Sequence, residues 1–284
     1  MSRVRWVVKK AARQGMALGS WASGSLTARS VLQRRPRVRA LTYHRIGYEP
    51  QEAFCVTPED FEAQIRSLAQ RGVAVSLDQV EAFVAGREAL PDGACLVTID
   101  DGCVSTMTEA LPILKRHGVT AVAYVTASLV GSDIRELPER YLDWDELREV
   151  ADTGVIEIGS HAYTHRSLGL MPPGEARDEA KKSRDLLEER LQREVRSFAY
   201  PFGTRTDFGP VTERALADAG YTIAFNSMHG TIKPGMDPIS LPRVKVEGGE
   251  GLWMFRLLSR GAMDPWRAVD QTLWRLQRER TEIS

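Results

Sequence analysis

Asp100 and Asp101 stand side by side after Leu96-Val97-Thr98-Ile99, a run of strand-forming residues, and Gly102 follows them. Adjacent carboxylates disfavour each other's ionisation unless a cation or a strong donor is near. His161 and His165, two of only five histidines, lie four apart and about sixty residues further on. One carboxylate and two imidazoles suit a divalent transition metal and leave coordination positions open for water and substrate. Asp101, His161 and His165 are therefore a candidate metal set. Asp100 beside it could take a proton from a water whose pKa the metal lowers, and the hydroxide would attack a carbonyl carbon. Blander readings stand next to this one. Asp-Asp-Gly also suits a plain turn, and the histidines could be satisfied core or surface residues.

The surrounding pattern places these residues at strand ends. Val38 to Thr42 reads as a short strand that delivers Tyr43-His44-Arg45. Thr57-Pro58-Glu59-Asp60 reads as an N-cap, a first-turn proline and an acid three residues after the cap. Ser76 caps a second predicted helix through Val84. Further strands are predicted over 73–75, 94–99, 119–125, 155–159, 195–200, 221–225 and 239–246. Helices are predicted over 108–117, 142–151, 175–193, 211–219, 252–258 and 265–280. Strands alternating with helices imply a parallel sheet. About seven βα units with no Gly-, Ser- or Pro-rich linker fit a closed or nearly closed barrel, with an open doubly wound sheet as the alternative. His44, Asp100, Asp101, His161 and Tyr200 each follow a predicted strand. In a barrel those ends converge on one face.

The chain has 284 residues, 43% hydrophobic and 27% charged, which describes an ordinary globular protein. Its formal net charge is zero, but residues 1–48 hold eleven of the 38 Lys and Arg and none of the 38 acids. The rest therefore has an excess of eleven acids. Three cysteines without a CxxC pair argue against a disulfide framework and fit a reducing compartment. No stretch approaches the ~20 apolar residues that span a bilayer. Residues 1–37 are predicted to be a basic arm. Val4, Val7, Ala11, Gly15, Leu18 and Trp21/Ala22 fall at helical spacing, which suggests a helix on an anionic membrane surface. A solvated arm or a helix packed on the outside of the barrel are the alternatives. The break at Arg13-Gln14 makes a poor signal-peptide core, so the expected location is cytoplasmic, peripheral on the inner membrane face, with export as an alternative. No nucleic-acid-binding module is present.

Three stretches together resemble successive motifs of the NodB-type polysaccharide deacetylases, carbohydrate esterase family 4: Thr98-Ile99-Asp100-Asp101-Gly102, Gly159-Ser160-His161-Ala162-Tyr163-Thr164-His165, and Arg196-Ser197-Phe198-Ala199-Tyr200-Pro201-Phe202-Gly203. The similarity runs from about residue 38 to 245. It implies a distorted (β/α) barrel over 38–250, with 251–284 as helices packed on it. It also implies metal-dependent removal of N-acetyl groups from sugars, with Zn²⁺ or another divalent transition metal as cofactor. In that frame Asp100 is the general base, and Asp101, His161 and His165 hold the metal. Arg196 would orient Asp100, and the backbone N–H of Tyr200 would steady the oxyanion.

The chain departs from the family in three places. Ile99 stands for an aromatic, Cys103 stands for another, and the late Leu-x-His motif that supplies the acid is absent, with only His229 left in that region. However, Leu41-Thr42-Tyr43-His44-Arg45-Ile46 resembles the N-terminal motif of the branch acting on poly-N-acetylglucosamine exopolysaccharides. That resemblance assigns His44 as the acid for the leaving amine, the alternative being a histidine that only hydrogen-bonds at the barrel mouth. Trp144, opening the helix before the His motif, is either packing or a sugar-stacking face. Arg243 is a weaker pocket candidate. The expected partner is an N-acetylated glycan: a polysaccharide, an oligosaccharide or a lipid-linked glycan. A sugar-binding pseudoenzyme and a hydrolase of non-sugar amides are the alternatives.

Overall fold

In a computed structural model, residues 3–24, 36–49, 53–133, 139–270 and 272 are described. Helix α1 (Arg3–Ala22) precedes strand β1 (Arg39–Tyr43). Two short strands, β2 (Arg45–Ile46) and β3 (Cys55–Val56), pair with each other beyond it. Helices α2 (Pro58–Gln70) and α3 (Leu77–Val84) follow. Then come β4 (Cys95–Asp101), α4 (Leu111–His117), β5 (Ala121–Val125), α5 (Trp144–Asp152), β6 (Ile156–Ser160), α6 (Pro173–Leu191) and β7 (Ser197–Ala199). Helix α7 (Pro210–Asp218), β8 (Ile223–His229), β9 (Leu241–Lys245) and α8 (Gly251–Ser259) complete the named elements.

Seven parallel strands close in the order β1-β4-β5-β6-β7-β8-β9, and β9 returns to β1 with Ala40 opposite Arg243. The open doubly wound alternative is thereby excluded. Local chemistry explains the helix starts. Thr57 accepts from the Asp60 N–H, and Ser76 and Gln79 form a reciprocal capping box. The predicted strand at 73–75 is only a bridge from Ala74 to Cys95. The predicted helix over 265–280 lies mostly outside the described residues.

Two apolar layers hold the barrel. The outer one packs helix faces against outward strand residues, for example Phe61, Ile65 and Leu68 of α2 with Val97 and Ile99 of β4. The inner one joins Ala40, Leu96, Val122, Tyr124, Phe225 and Leu241 to Leu77, Val80, Phe83 and Val84 of α3. Helix α3 thus plugs the barrel at one end. All these side chains are buried, each contributing roughly 1.5–3 kcal/mol for a large apolar group. Plugging one end leaves the C-terminal strand edge as the open mouth.

Candidate active site

Strand β4 alternates strictly: Leu96, Thr98 and Asp100 point inward, while Val97 and Ile99 point out. Asp101 has outward parity, yet its backbone turns at φ 81° and so does that of Gly102. A left-handed non-glycine residue is strained. Here the turn carries the Asp101 carboxylate back over the rim. Gly102 is tightly placed, since a Cβ there would lie 3.2 Å from Val125. Ala162, His165 and Phe202 are also left-handed, at φ 64°, 61° and 60°. Four strained residues around one rim are what a site held in shape by its surroundings shows.

Asp101 Oδ1 lies 3.6 Å from His161 Nε2 and 3.5 Å from His165 Nε2. One ligand atom from each of these residues falls within 4.8 Å of the others. His161 Nδ1 is 2.7 Å from the Ala199 carbonyl. Nδ1–H donates there, which leaves Nε2 unprotonated toward Asp101, the tautomer a metal ligand needs. This donor set fits a divalent metal. Burial pushes the His161 imidazole down to about 4, so the ring is neutral near pH 7. Burial opposes charge on His165 as well, but its hydrogen bond to Asp101 outweighs that and raises its pKa. Burial also works against Asp101. The hydrogen bond from His165, with the imidazoles around it, overcomes that and holds this carboxyl far below the usual range.

The loop between the two histidines is clamped by helix α6. Glu179 accepts from the N–H groups of Tyr163 and Thr164 and from the Thr164 hydroxyl, at 3.1, 2.9 and 2.8 Å. Ser183 donates to the Ala162 carbonyl and meets the Ser160 hydroxyl. Sequence reading missed both residues. The available signal was an acid and a serine four apart on the helix predicted over 175–193, which in the structure are both buried.

Asp100 is buried and gripped in a fork by Arg243, whose Nη1 and Nη2 donate to its two oxygens at 2.7 and 2.8 Å. The same guanidinium donates to the Asn226 carbonyl at 3.0 Å and to the Thr98 hydroxyl at 3.3 Å. Burial alone would raise the Asp100 pKa. The charge and hydrogen bonds of Arg243 offset it and hold the Asp100 pKa below the usual range. His44 stands at the end of β1, its ring 4.7 Å from that of Phe54. Strand β1 pairs directly with β4, Tyr43 lying opposite Ile99, so His44 stands beside Asp100.

Three expected roles need correction. Arg196 does not touch Asp100. It precedes β7, so it lies at the N-terminal edge, a strand's length from the mouth. There it donates to Glu157 and Glu81 at 3.1 and 2.6 Å and also pairs with Asp78. These partners tie the plug helix α3 to β6. Arg243, read as a weak pocket residue, holds Asp100 instead. It does so without any exposed surface, so it is not a wall for sugar. Tyr200 offers neither an oxyanion donor nor a sugar contact. Its N–H continues the ladder to the Phe225 carbonyl at 3.0 Å, and its buried hydroxyl donates outward to the Ile239 carbonyl. Pro201 has no N–H. The first N–H beyond the ladder is that of Phe202, which donates to no acceptor among the described residues, and the Phe202 ring packs on His165 at 5.1 Å. Trp144 packs against α6, under the Arg190 guanidinium, rather than in the mouth.

A closed barrel with a carboxylate–imidazole cluster and a second, arginine-held carboxylate at one mouth defines a hydrolase of the polysaccharide deacetylase class. The family description "polysaccharide deacetylase" matches residues 87–224. These residues form a polysaccharide deacetylase domain of the NodB, carbohydrate esterase family 4 type, a hydrolase of carbon–nitrogen bonds. It is 23% identical over 236 residues to a poly-beta-1,6-N-acetyl-D-glucosamine N-deacetylase of Staphylococcus epidermidis, covering 73% of this chain and 78% of the relative. Its fold resembles IcaB from Ammonifex degensii, with a TM-score of 0.68, 28% identity, and coverage of 80% of this chain and 97% of that one. It also resembles the Streptococcus pyogenes deacetylase PplD, solved with acetate, at a TM-score of 0.66, 23% identity, and 75% and 93% coverage.

Proposed function

We propose that this enzyme removes N-acetyl groups from a poly-N-acetylglucosamine-like glycan, with Asp100 as base and His44 as acid. The observation that carries the reading is the pairing at one mouth of two differently treated carboxylates. Asp101 faces two imidazoles, and Asp100 is locked in the Arg243 fork. Asp101, His161 and His165 would hold a divalent metal, Zn²⁺ being the expected ion, which supplies Lewis acidity toward the acetamide carbonyl and acidifies water.

The chain's own groups do the rest. Asp100, ionised and fixed by both oxygens, accepts the proton of the attacking water. The Phe202 N–H points to the oxyanion role that Tyr200 cannot fill, as a donor fixed before the reaction. His44, which follows β1 beside β4 and stands next to Asp100 in register, gives its proton to the departing nitrogen, which leaves as a free amine. The products are acetate and a glucosamine unit. Likeness to the staphylococcal enzyme, named for its poly-beta-1,6-N-acetyl-D-glucosamine substrate, supports a glucosamine polymer as substrate. Asp100→Asn tests the division of labour. It is expected to bind zinc as the wild type does, with acetate release from a β-1,6-linked N-acetylglucosamine oligomer down by ~10²–10⁴-fold. Wild-type turnover in that variant removes Asp100 from the mechanism.

A further inference from the structure

Helix α1 is docked the wrong way round for a helix that belongs only to a globular body. Its inward side is mostly polar or small, with Met16 the one large apolar residue packed against the core among the described side chains. Arg13 is buried and bonds to Glu250 at 2.7 Å and to the Lys245 carbonyl at 3.1 Å, with Glu247 at 3.5 Å. Ala17 and Ser20 are buried on the same side. The opposite side carries Ala11, Gly15, Leu18 and Trp21, all outward, with Leu18 46% and Trp21 64% exposed. A buried arginine opposite an exposed tryptophan and leucine inverts the usual amphipathic arrangement. Helix α8, which packs on α1, adds Trp253 at 44% exposure.

Charge selects the occupant. Residues 1–48 carry eleven basic side chains and no acid; Arg13, Arg37, Arg39 and Arg45 are paired with acids that follow in the chain, and the remaining seven keep the region basic. A two-fold contact through this stripe would set that positive region against its own copy. An anionic lipid surface attracts it, and holds off the acidic remainder of the chain. We propose that the outward stripe of α1 is a docking surface for the interface of an anionic bilayer, into which Leu18 and Trp21 insert. The anchor also has a fixed relation to the active site. Arg13 bonds to Lys245, the last residue of β9, so α1 is pinned at the rim of the barrel mouth. Binding through it keeps the mouth near glycans held at a membrane. This last step rests on the deacetylase reading, whereas lipid binding itself does not.

Flotation of the full chain with vesicles tests it, using phosphatidylcholine alone and phosphatidylcholine mixed with phosphatidylglycerol. The wild type is expected to float with the mixed vesicles and not with the neutral ones, and to be released by salt. Leu18→Ser/Trp21→Ser is expected to partition at least ~10-fold more weakly. Acetate release from a soluble oligomer should stay unchanged, which shows the variant is folded. Absence of wild-type flotation with anionic vesicles overturns the proposal. So does equal flotation of the double variant. A wild-type dimer in light scattering that the double variant loses, with neither protein floating, would make the stripe a contact between copies and also overturns it.

Discussion

Replacing Arg243 by Met should disable the site through Asp100. The guanidinium makes two charge-assisted bonds to Asp100, at 2.7 and 2.8 Å, inside a barrel where Arg243 is 0% and Asp100 2% exposed. Removing one partner of such a pair leaves an unpaired buried charge and costs ~3–5 kcal/mol. The carboxylate can lower that cost by taking up a proton, so its pKa rises without Arg243. A protonated Asp100 cannot act as base. Urea denaturation should therefore show Arg243→Met less stable by ~3–5 kcal/mol. The acid limb of its acetate-release profile should move to higher pH, with ~10²-fold less activity at neutral pH. Adding Asp100→Asn removes the stranded charge. The double variant should recover part of the stability, with a coupling energy within the ~0.5–3 kcal/mol seen for touching residues. An Arg243→Met protein within ~1 kcal/mol of wild type, with an unmoved acid limb, would refute the reasoning.

Arg196→Met removes a three-carboxylate clamp at the opposite end of the barrel. It should cost ~1–3 kcal/mol in denaturation while kcat on the oligomer stays near the wild-type value. His44→Ala should lose ~10²–10⁴-fold on the acetamide and much less on an aryl acetate ester, whose leaving group needs no proton; equal losses on both would remove His44 as the acid. His229 is buried among Arg13, Arg39 and Lys245, and burial first, then these charges, push its pKa down to about 3. The native state therefore holds it neutral. Its contribution is complete above the unfolded value of ~6.5 and is lost as pH falls toward 3, at about 1.4 kcal/mol per pH unit. His229→Phe should flatten the stability–pH curve over that window, and an unchanged slope would contradict this.

Strand-end chemistry was the legible part of this molecule. Asp101, His161 and His165 could be gathered from sequence because each follows a strand in a parallel barrel, and such ends converge. The same rule, applied to strand polarity, would have caught the error over Arg196. It precedes β7, so it stands at the wrong edge to reach Asp100. Arg243 was harder to see, since its role depends on β9 closing onto β1 in a register that sets Arg243 opposite Ala40. Nothing local to Leu241-Pro242-Arg243 encodes that pairing. The Tyr200 error has a different origin. Where a ladder stops depends on its partner strand, and here β8 claims the Tyr200 N–H. The loop clamp by Glu179 and Ser183 was hidden for a similar reason, because burial of two polar positions on α6 follows from how that helix docks. The N-terminal stripe was visible at helical spacing. Which side of the helix met the body was set by the Arg13–Glu250 pair, 237 residues apart.

The most direct test of the central claim is acetate release from a β-1,6-linked N-acetylglucosamine oligomer, measured on the chelated protein before and after stoichiometric zinc. No turnover is expected after chelation, with recovery on adding one equivalent of metal. His161→Ala and His165→Ala should fail both to bind zinc and to recover. Undiminished acetate release from the chelated enzyme, or recovery in either histidine variant, would contradict it.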